Sequence, residues 1–250
     1  MYNNIHAEWV RNILDDILTS AQRATAALAD ATARILSEMP VHYTEGARLT
    51  REQRTALQKH IHDVLHDNAW CNGAGFASYV STKMAGEEGG YWTLEWWRQE
   101  GGTIQQAQLE HNQEQCRRLD FRLFDWFRQP ASCHLPFIDG PYVDYVCNGA
   151  YTITIAHPVL IGEDFVGVAA ADMLVSTLDR LLLPALGAIG KPVLVINGDA
   201  RVVTSTVPGV RSGSLWKCQD VNQSVDGEVP SLRLVILPSL HRESACWSVV

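Results

Sequence analysis

From Ile5 to Ile35 apolar residues recur at Ile5, Trp9, Ile13, Ile17, Ala21, Ala24, Leu28, Ala31 and Ile35, a three-and-four spacing that lays one stripe along a helix. The spacing predicts a long helix over residues 4–36, with Pro40 just past it and a loop over Val41–Leu49. A second helix opens at Thr50, where Gln53 stands at capping-box spacing, and runs through Leu57, Ile61, Val64 and Leu65.

Beyond Asn72-Gly73 the period changes. Residues 75–82 and 91–97 read as strands, joined as a hairpin through the turn-rich stretch Gly86–Gly90. Residues 101–129 mix helical and irregular signals, and Pro130–Pro141 reads as a loop punctuated by Pro and Gly. Three more strands are expected at 142–147, 151–160 and 165–172, with turns at Asn148-Gly149 and Ile161-Gly162. Strands so closely spaced favour an antiparallel sheet over βαβ units. The fold class expected is α+β: the long N-terminal helix and the second helix packed on a five-stranded antiparallel sheet spanning 74–173.

A short helix over 174–186 is ended by Gly187 and carries Pro184, and Lys191-Pro192 marks a junction. Residues 193–196, 201–206 and 232–237 then read as strands around the Asn197-Gly198-Asp199 turn, a small β-rich lobe. The expected domains are therefore 1–190 and 191–250, with no usable pattern over 239–250.

Composition narrows the classes. At 46% hydrophobic and 19% charged, the 250 residues match ordinary globular usage and predict a packed, water-soluble fold. Twenty Lys+Arg against 28 Asp+Glu give a net charge of −8, which opposes direct binding to nucleic acid. No signal peptide and no apolar stretch long enough to span a bilayer are visible. Six cysteines, Cys71, Cys116, Cys133, Cys147, Cys218 and Cys246, lie scattered without a C-x-x-C pair, the usage of reduced thiols in a cytoplasmic protein.

The chemistry concentrates on Pro141-Tyr142-Val143-Asp144 and on Asp172, which ends the apolar run Phe165–Ala171. Strand alternation places Tyr142 and Asp144 on one face. An acid ending a buried strand loses hydration unless a cation or hydrogen bond meets it, so two carboxylates beside a tyrosine make a receptor for an ammonium group. The competing reading has Asp172 cap the following helix and Asp144 sit on a solvated strand edge. A second cluster puts Tyr91, Thr93, Glu95 and Trp97 on one face of a strand and Trp92, Leu94 and Trp96 on the other. One face fills core; the other can wall a pocket, where aromatic rings attract alkylammonium groups. His60, His62 and His66 lack the H-E-x-x-H pattern, so a solvated helix face is expected rather than a metal site. Enzyme signatures G-x-S-x-G, Walker A and G-x-G-x-x-G are absent, Asn72-Gly73-Ala74-Gly75 reads as a turn, and Cys147 with His157 has no orienting group.

The order of elements, with Phe124-Asp125-Trp126-Phe127, Pro141-Tyr142-Val143-Asp144 and Gly167–Asp172, resembles the Cache (PDC-type) ligand-binding sensor domains over residues 1 to 210. The segments look like that family's W-[FY], P-Y-x-D and G-x-x-x-x-D positions. The resemblance implies a PAS/Cache-like sheet and an amine or amino-acid ligand whose ammonium is held by Tyr142, Asp144 and Asp172. Trp126, Phe127, Tyr91, Trp97 and Tyr151 are expected to wall that pocket. The amino-acid binders also place an arginine two residues before the matching tryptophan; here Phe124 stands there and Arg122 two residues further back, so an amine is favoured over an α-amino acid or a small carboxylate.

The expectation is a small-molecule sensor without cofactor, metal or catalytic residues. The alternatives are a helix-mediated interaction module without ligand and an enzyme acting on an amine-like substrate. Because 31 residues of helix extend about 46 Å, beyond what a five-stranded sheet covers, a homodimer through the N-terminal helix is also expected.

Overall fold

The computed structural model describes residues 2–38, 46–84, 87–107, 120–145, 149–217, 232–237 and 248–249. Cys147, most of the turn expected before Gly90, and the tail from 239 apart from 248–249 lie outside the described residues or have undescribed side chains.

The N-terminal helix is α1 (Tyr2–Ser37). Its buried positions are Ala7, Val10, Leu14, Leu18, Ala21, Thr25, Leu28, Ala29, Ala31, Thr32 and Leu36. That stripe keeps the three-and-four period but is rotated in the first half from the one expected: Ile5 and Trp9 are 62% and 49% exposed. The two buried threonines satisfy their hydroxyls inside the helix, Thr25 donating to Ala21 O at 2.9 Å and Thr32 to Leu28 O at 2.7 Å. Helix α2 (Arg51–Asp67) begins as its sequence requires, with a closed capping box: Thr50 Oγ1 accepts from Gln53 N and Gln53 Oε1 accepts from Thr50 N. It buries Leu57, Ile61, Val64 and Leu65.

The main sheet has six strands, not five, in the order β3-β2-β1-β6-β5-β4. These are β1 (Gly73–Met84), β2 (Glu87–Glu100), β3 (Thr103–Gln106), β4 (Phe137–Val143), β5 (Tyr151–Ile161) and β6 (Asp164–Leu174). The hairpin β1–β2 forms as expected, and β1 also pairs antiparallel with β6. The sixth strand is β3, a polar edge strand turned back on β2 through Gly101 and Gly102, whose φ values of +58° and +82° suit glycine. With one half-buried residue among four it offers no alternation to read. The expected loop 130–141 is also corrected: Pro130 lies inside helix α3 (Asp125–Cys133), and β4 starts at Phe137. β4 is an edge strand, the place in a sheet where proline is tolerated because an N–H on the outer side has no ladder partner. Helix α4 (Val175–Ala188) passes through Gly187, and the αL glycine comes at Gly190. Three-stranded β10-β7-β8, from β7 (Val193–Ile196), β8 (Val202–Ser205) and β10 (Arg233–Ile236), follows the reading of the C-terminal part; β9 (Trp216–Lys217) pairs with β11 (Ser248–Val249).

The chain forms two compact units. One comprises Met1–Thr19, Gly140–Ile153 and Leu174–Val250, with a core of Leu194, Ile196, Val202, Val207, Trp216 and Leu237. The other comprises Ser20–Asp139 and Thr154–Met173. Its centre is β6, where Val166, Val168 to Ala171 and Met173 are completely enclosed.

Within this second unit the His157 Nδ1 of β5 lies 2.8 Å from the Thr25 hydroxyl of α1. Burial holds the imidazole below its ordinary value near 6.5, only partly offset by Asp30. Protonation is thus harder in the folded chain than in the unfolded one, so stability is full above about pH 6.5 and falls as the pH drops through the folded value. Denaturant titrations from about pH 7.5 to 5 should show this loss, with a shallower slope in His157→Gln. Equal slopes would mean that this histidine carries none of the dependence.

Candidate functional site

Asp172 lies near the end of β6, opposite Gly73 of β1. It is 5% exposed. It is not the cap of α4, because β6 continues to Leu174 and that residue occupies the N-cap without a side-chain bond. The carboxylate is oriented instead by Thr154 of β5, whose hydroxyl donates to Oδ1 at 2.6 Å. Its backbone is fixed as well: Asn72 N donates to Asp172 O at 2.8 Å, and Gln99 N donates to Asn72 O at 2.7 Å. Cys71 is a near neighbour, and burial first, then the charge of Asp172, push its thiol up, which leaves it unreactive.

The pairing register settles which face of β2 accompanies this acid. Gly73 pairs with Asp172 and Gly75 with Trp96, so Trp92, Leu94 and Trp96 share the Asp172 face. The segment Gly73-Ala74-Gly75, expected as a turn, is the start of β1 and the seat of the Trp96 indole. A Cβ on Gly75 would fall 2.7 Å from Trp96 Cε3, and one on Gly73 would fall 3.1 Å from Trp96 Nε1 and 3.3 Å from Asp172 Oδ2. The two glycines leave room for the ring against β1, with Trp96 Nε1 and Asp172 Oδ2 both beside Gly73.

Further along this face Trp92 is enclosed by aromatic rings: Tyr79 at 4.8 Å, Phe121 at 5.2 Å and Phe127 at 5.9 Å between centroids. Trp126 packs on Phe121 and Phe127, so the expected site residues Trp126 and Phe127 are brought together as one buried cluster. They are held there by α3, whose first turn is capped from β4, with Asp139 Oδ2 accepting from Trp126 N. Arg122 lies over the Tyr79 ring at 4.1 Å and makes a forked contact with Asp120, donating to both carboxylate oxygens. Those bonds hold the Asp120 carboxyl below its usual range.

Tyr91 and Trp97 occupy the opposite face. Arg48 covers the Tyr91 ring at 4.2 Å, and Trp97 packs edge-on against His62 of α2 at 4.5 Å. His62 is therefore half-buried against β2 rather than solvated. At the centre of this face Glu95 is fully buried. Its carboxylate accepts from Arg54 Nη1 at 2.8 Å, Gln58 Nε2 at 3.1 Å, Trp97 Nε1 at 2.7 Å and Gln106 Nε2 at 3.0 Å. Tyr91, Trp97 and Glu95 thus join helix to sheet.

Tyr142, Asp144 and Tyr151 belong to the other unit. Asp144 lies just past the end of β4, not inside a strand, because the chain turns there: Asp144 N donates to Ala150 O at 3.0 Å and Gly149 N donates to Asp144 O. It is 7% exposed, so it is not a solvated edge residue. Tyr142 is half-buried; Tyr151 is 41% exposed and its ring lies against Gly213. Among the described residues no group of three His, Cys, Asp or Glu could hold a metal ion, and no helix is long and apolar enough to cross a membrane.

Solved structures share this architecture. The sensory domain of the Campylobacter jejuni chemoreceptor Tlp3 matches with a TM-score of 0.54 at 12% identity, over 85% of this chain and 75% of that one. The same receptor's ligand-binding domain in complex with L-norvaline gives 0.53 at 12%, over 84% and 72%. A methyl-accepting chemotaxis protein X gives 0.50 at 15%, over 80% and 74%. The chain has the fold of chemoreceptor sensor domains. By sequence, no family model and no curated protein matches it. The two Tlp3 structures are the ligand-binding and sensory domains of a chemoreceptor. The sequence reading missed Thr154, Gly73 and Gly75; the signal available for Thr154 was its place in a β5 that is otherwise apolar from Ile153 to Ala156.

Proposed function

We propose that the chain is a sensor module that binds a small ammonium-bearing molecule through Asp172, Asp144 and Tyr142 and signals through a partner or a dimer. The observation that carries this reading is Asp172: a carboxylate withdrawn from water at the end of an apolar strand, with no capping duty, oriented by Thr154. Such a group contributes most when it meets a cation. The Tlp3 domain has been solved with L-norvaline, isoleucine and L-valine, each of which carries an ammonium group. Arg122 is engaged by Asp120, which supports amines over carboxylates as ligands. Recognition of this kind makes and breaks no covalent bond.

Thermal-shift screening tests the reading, since a ligand at 100 times its Kd adds about 2.7 kcal/mol of stability. Amines and amino acids should raise the melting temperature, while acetate, pyruvate and malate should leave it unchanged. Shifts with the acids and none with any amine would overturn the assignment. The dimer part of the proposal rests on Ile5 and Trp9, large apolar side chains exposed on α1. Light scattering should give a dimer for the full chain and a monomer once residues 1–20 are removed; a monomeric full chain at tens of micromolar would refute it.

A further inference from the structure

Trp96 is 5% exposed, and its indole N–H is fully buried with no hydrogen-bond acceptor among the described residues. A buried donor left unpaired costs about 1–3 kcal/mol, so its position calls for a reason. Its surroundings supply one. Nε1 stands beside Gly73, where the missing side chain leaves a notch too tight for a Cβ, which would fall 3.1 Å from Nε1 and 3.3 Å from Asp172 Oδ2 of β6. A donor and an anionic acceptor therefore flank one small space. The Trp97 indole, one residue along, shows the contrast: it turns to the helix face and donates to Glu95. The Gly73-Ala74-Gly75 seat fixes the orientation, because a side chain at either glycine would press on the Trp96 ring.

We infer that Trp96 Nε1 is a ligand-binding donor, and that the preferred ligand carries an acceptor oxygen three bonds from its ammonium nitrogen, as in an α-amino amide or acid. The ammonium meets Asp172 and the oxygen accepts from Trp96. The inference rests on the proposed ammonium site and narrows its ligand class. Because the indole is neutral, it binds an amide oxygen and a carboxylate alike, without the cationic clamp that Phe124 replaces.

Three probes separate the contributions: isobutylamine, which has the ammonium alone, L-valinamide, which adds an uncharged acceptor, and L-valine. Calorimetric titration of the full chain should rank valinamide and valine above isobutylamine by about tenfold or more, the range of a hydrogen bond made to an otherwise unpaired group. Trp96→Phe keeps a ring on the glycine seat and removes the donor; it should bind all three probes with the weaker affinity of isobutylamine. Gly73→Ala keeps the donor and fills the notch, and should weaken all three. Melting curves establish that each variant folds, and the Trp96 indole proton resonance of the unmodified chain should move on adding valinamide.

If isobutylamine binds but Trp96→Phe retains the preference for valinamide, the donor role is overturned while the ammonium site stands. An unmoved indole resonance at saturating valinamide overturns it equally. If none of the three probes binds the unmodified chain, the ammonium site itself falls and the donor role with it.

Discussion

Asp172→Asn is expected to weaken binding of an ammonium ligand by at least tenfold while leaving the chain folded. A charge-assisted hydrogen bond in a site withdrawn from water contributes about 1.5–3 kcal/mol, and the amide removes the charge without changing the shape. Folding should survive because the Asn oxygen can still accept the Thr154 hydroxyl that now bonds Oδ1 at 2.6 Å. Asp144→Asn, at a residue 7% exposed, should weaken the same ligand comparably. Calorimetric titration with the best amine from the thermal screen decides it. Unchanged affinity in both variants would remove both carboxylates from the site.

Glu95→Gln should have the opposite profile, a large loss of stability with little specific effect on the ligand. The carboxylate lies on the face of β2 away from Asp172 and accepts four hydrogen bonds, one of them from the Arg54 guanidinium. Gln retains one acceptor oxygen, turns an NH2 toward surrounding donors and removes the negative charge that the Arg54 guanidinium meets at 2.8 Å. Breaking a buried pair from one side costs about 3–5 kcal/mol, which in a chain of this size lowers the melting temperature by roughly 6–20 °C. A melting temperature within a degree or two of the unmodified chain would show that α2 is not tied to the sheet through this group.

Both substitutions act on residues whose importance was unevenly visible in the sequence. The capping box at Thr50 and the hairpin strands are local patterns, and the structure reproduces them within a few residues. Asp172 was visible because an acid closing the run Phe165–Ala171 contradicts its surroundings. What local pattern could not supply was pairing. Whether Trp96 or Trp97 faces the site depends on which residues of β1 and β6 stand opposite, a long-range register that Gly75↔Trp96 and Gly73↔Asp172 fix. Tyr91 and Trp97, expected to wall the pocket, lie on the face away from Asp172, with Arg48 over the Tyr91 ring and His62 of α2 against Trp97. The edge strands β3 and β4 were hidden differently: one lacks alternation and the other carries Gly140 and Pro141, which mark a loop in sequence yet are tolerated where no neighbour needs the missing N–H. Asp144 was read as a strand residue because alternation continued past the point where the backbone turns.

The backbone bonds at Asp172 bear on the thermodynamics of recognition. Asn72 N, just ahead of β1, and Thr154 Oγ1 of β5 pin the residue from both sides, and Gln99 extends the restraint through Asn72. A side chain already confined by the folding of the most enclosed strand has little rotamer freedom left to surrender when a ligand arrives. The ordering cost of roughly 0.5–1.5 kcal/mol that a mobile contact residue incurs on association is therefore met at the moment of folding. At this acid, the affinity is governed by the exchange of water for carboxylate around the incoming cation, so changes in ligand shape should act chiefly on how fast the complex dissociates.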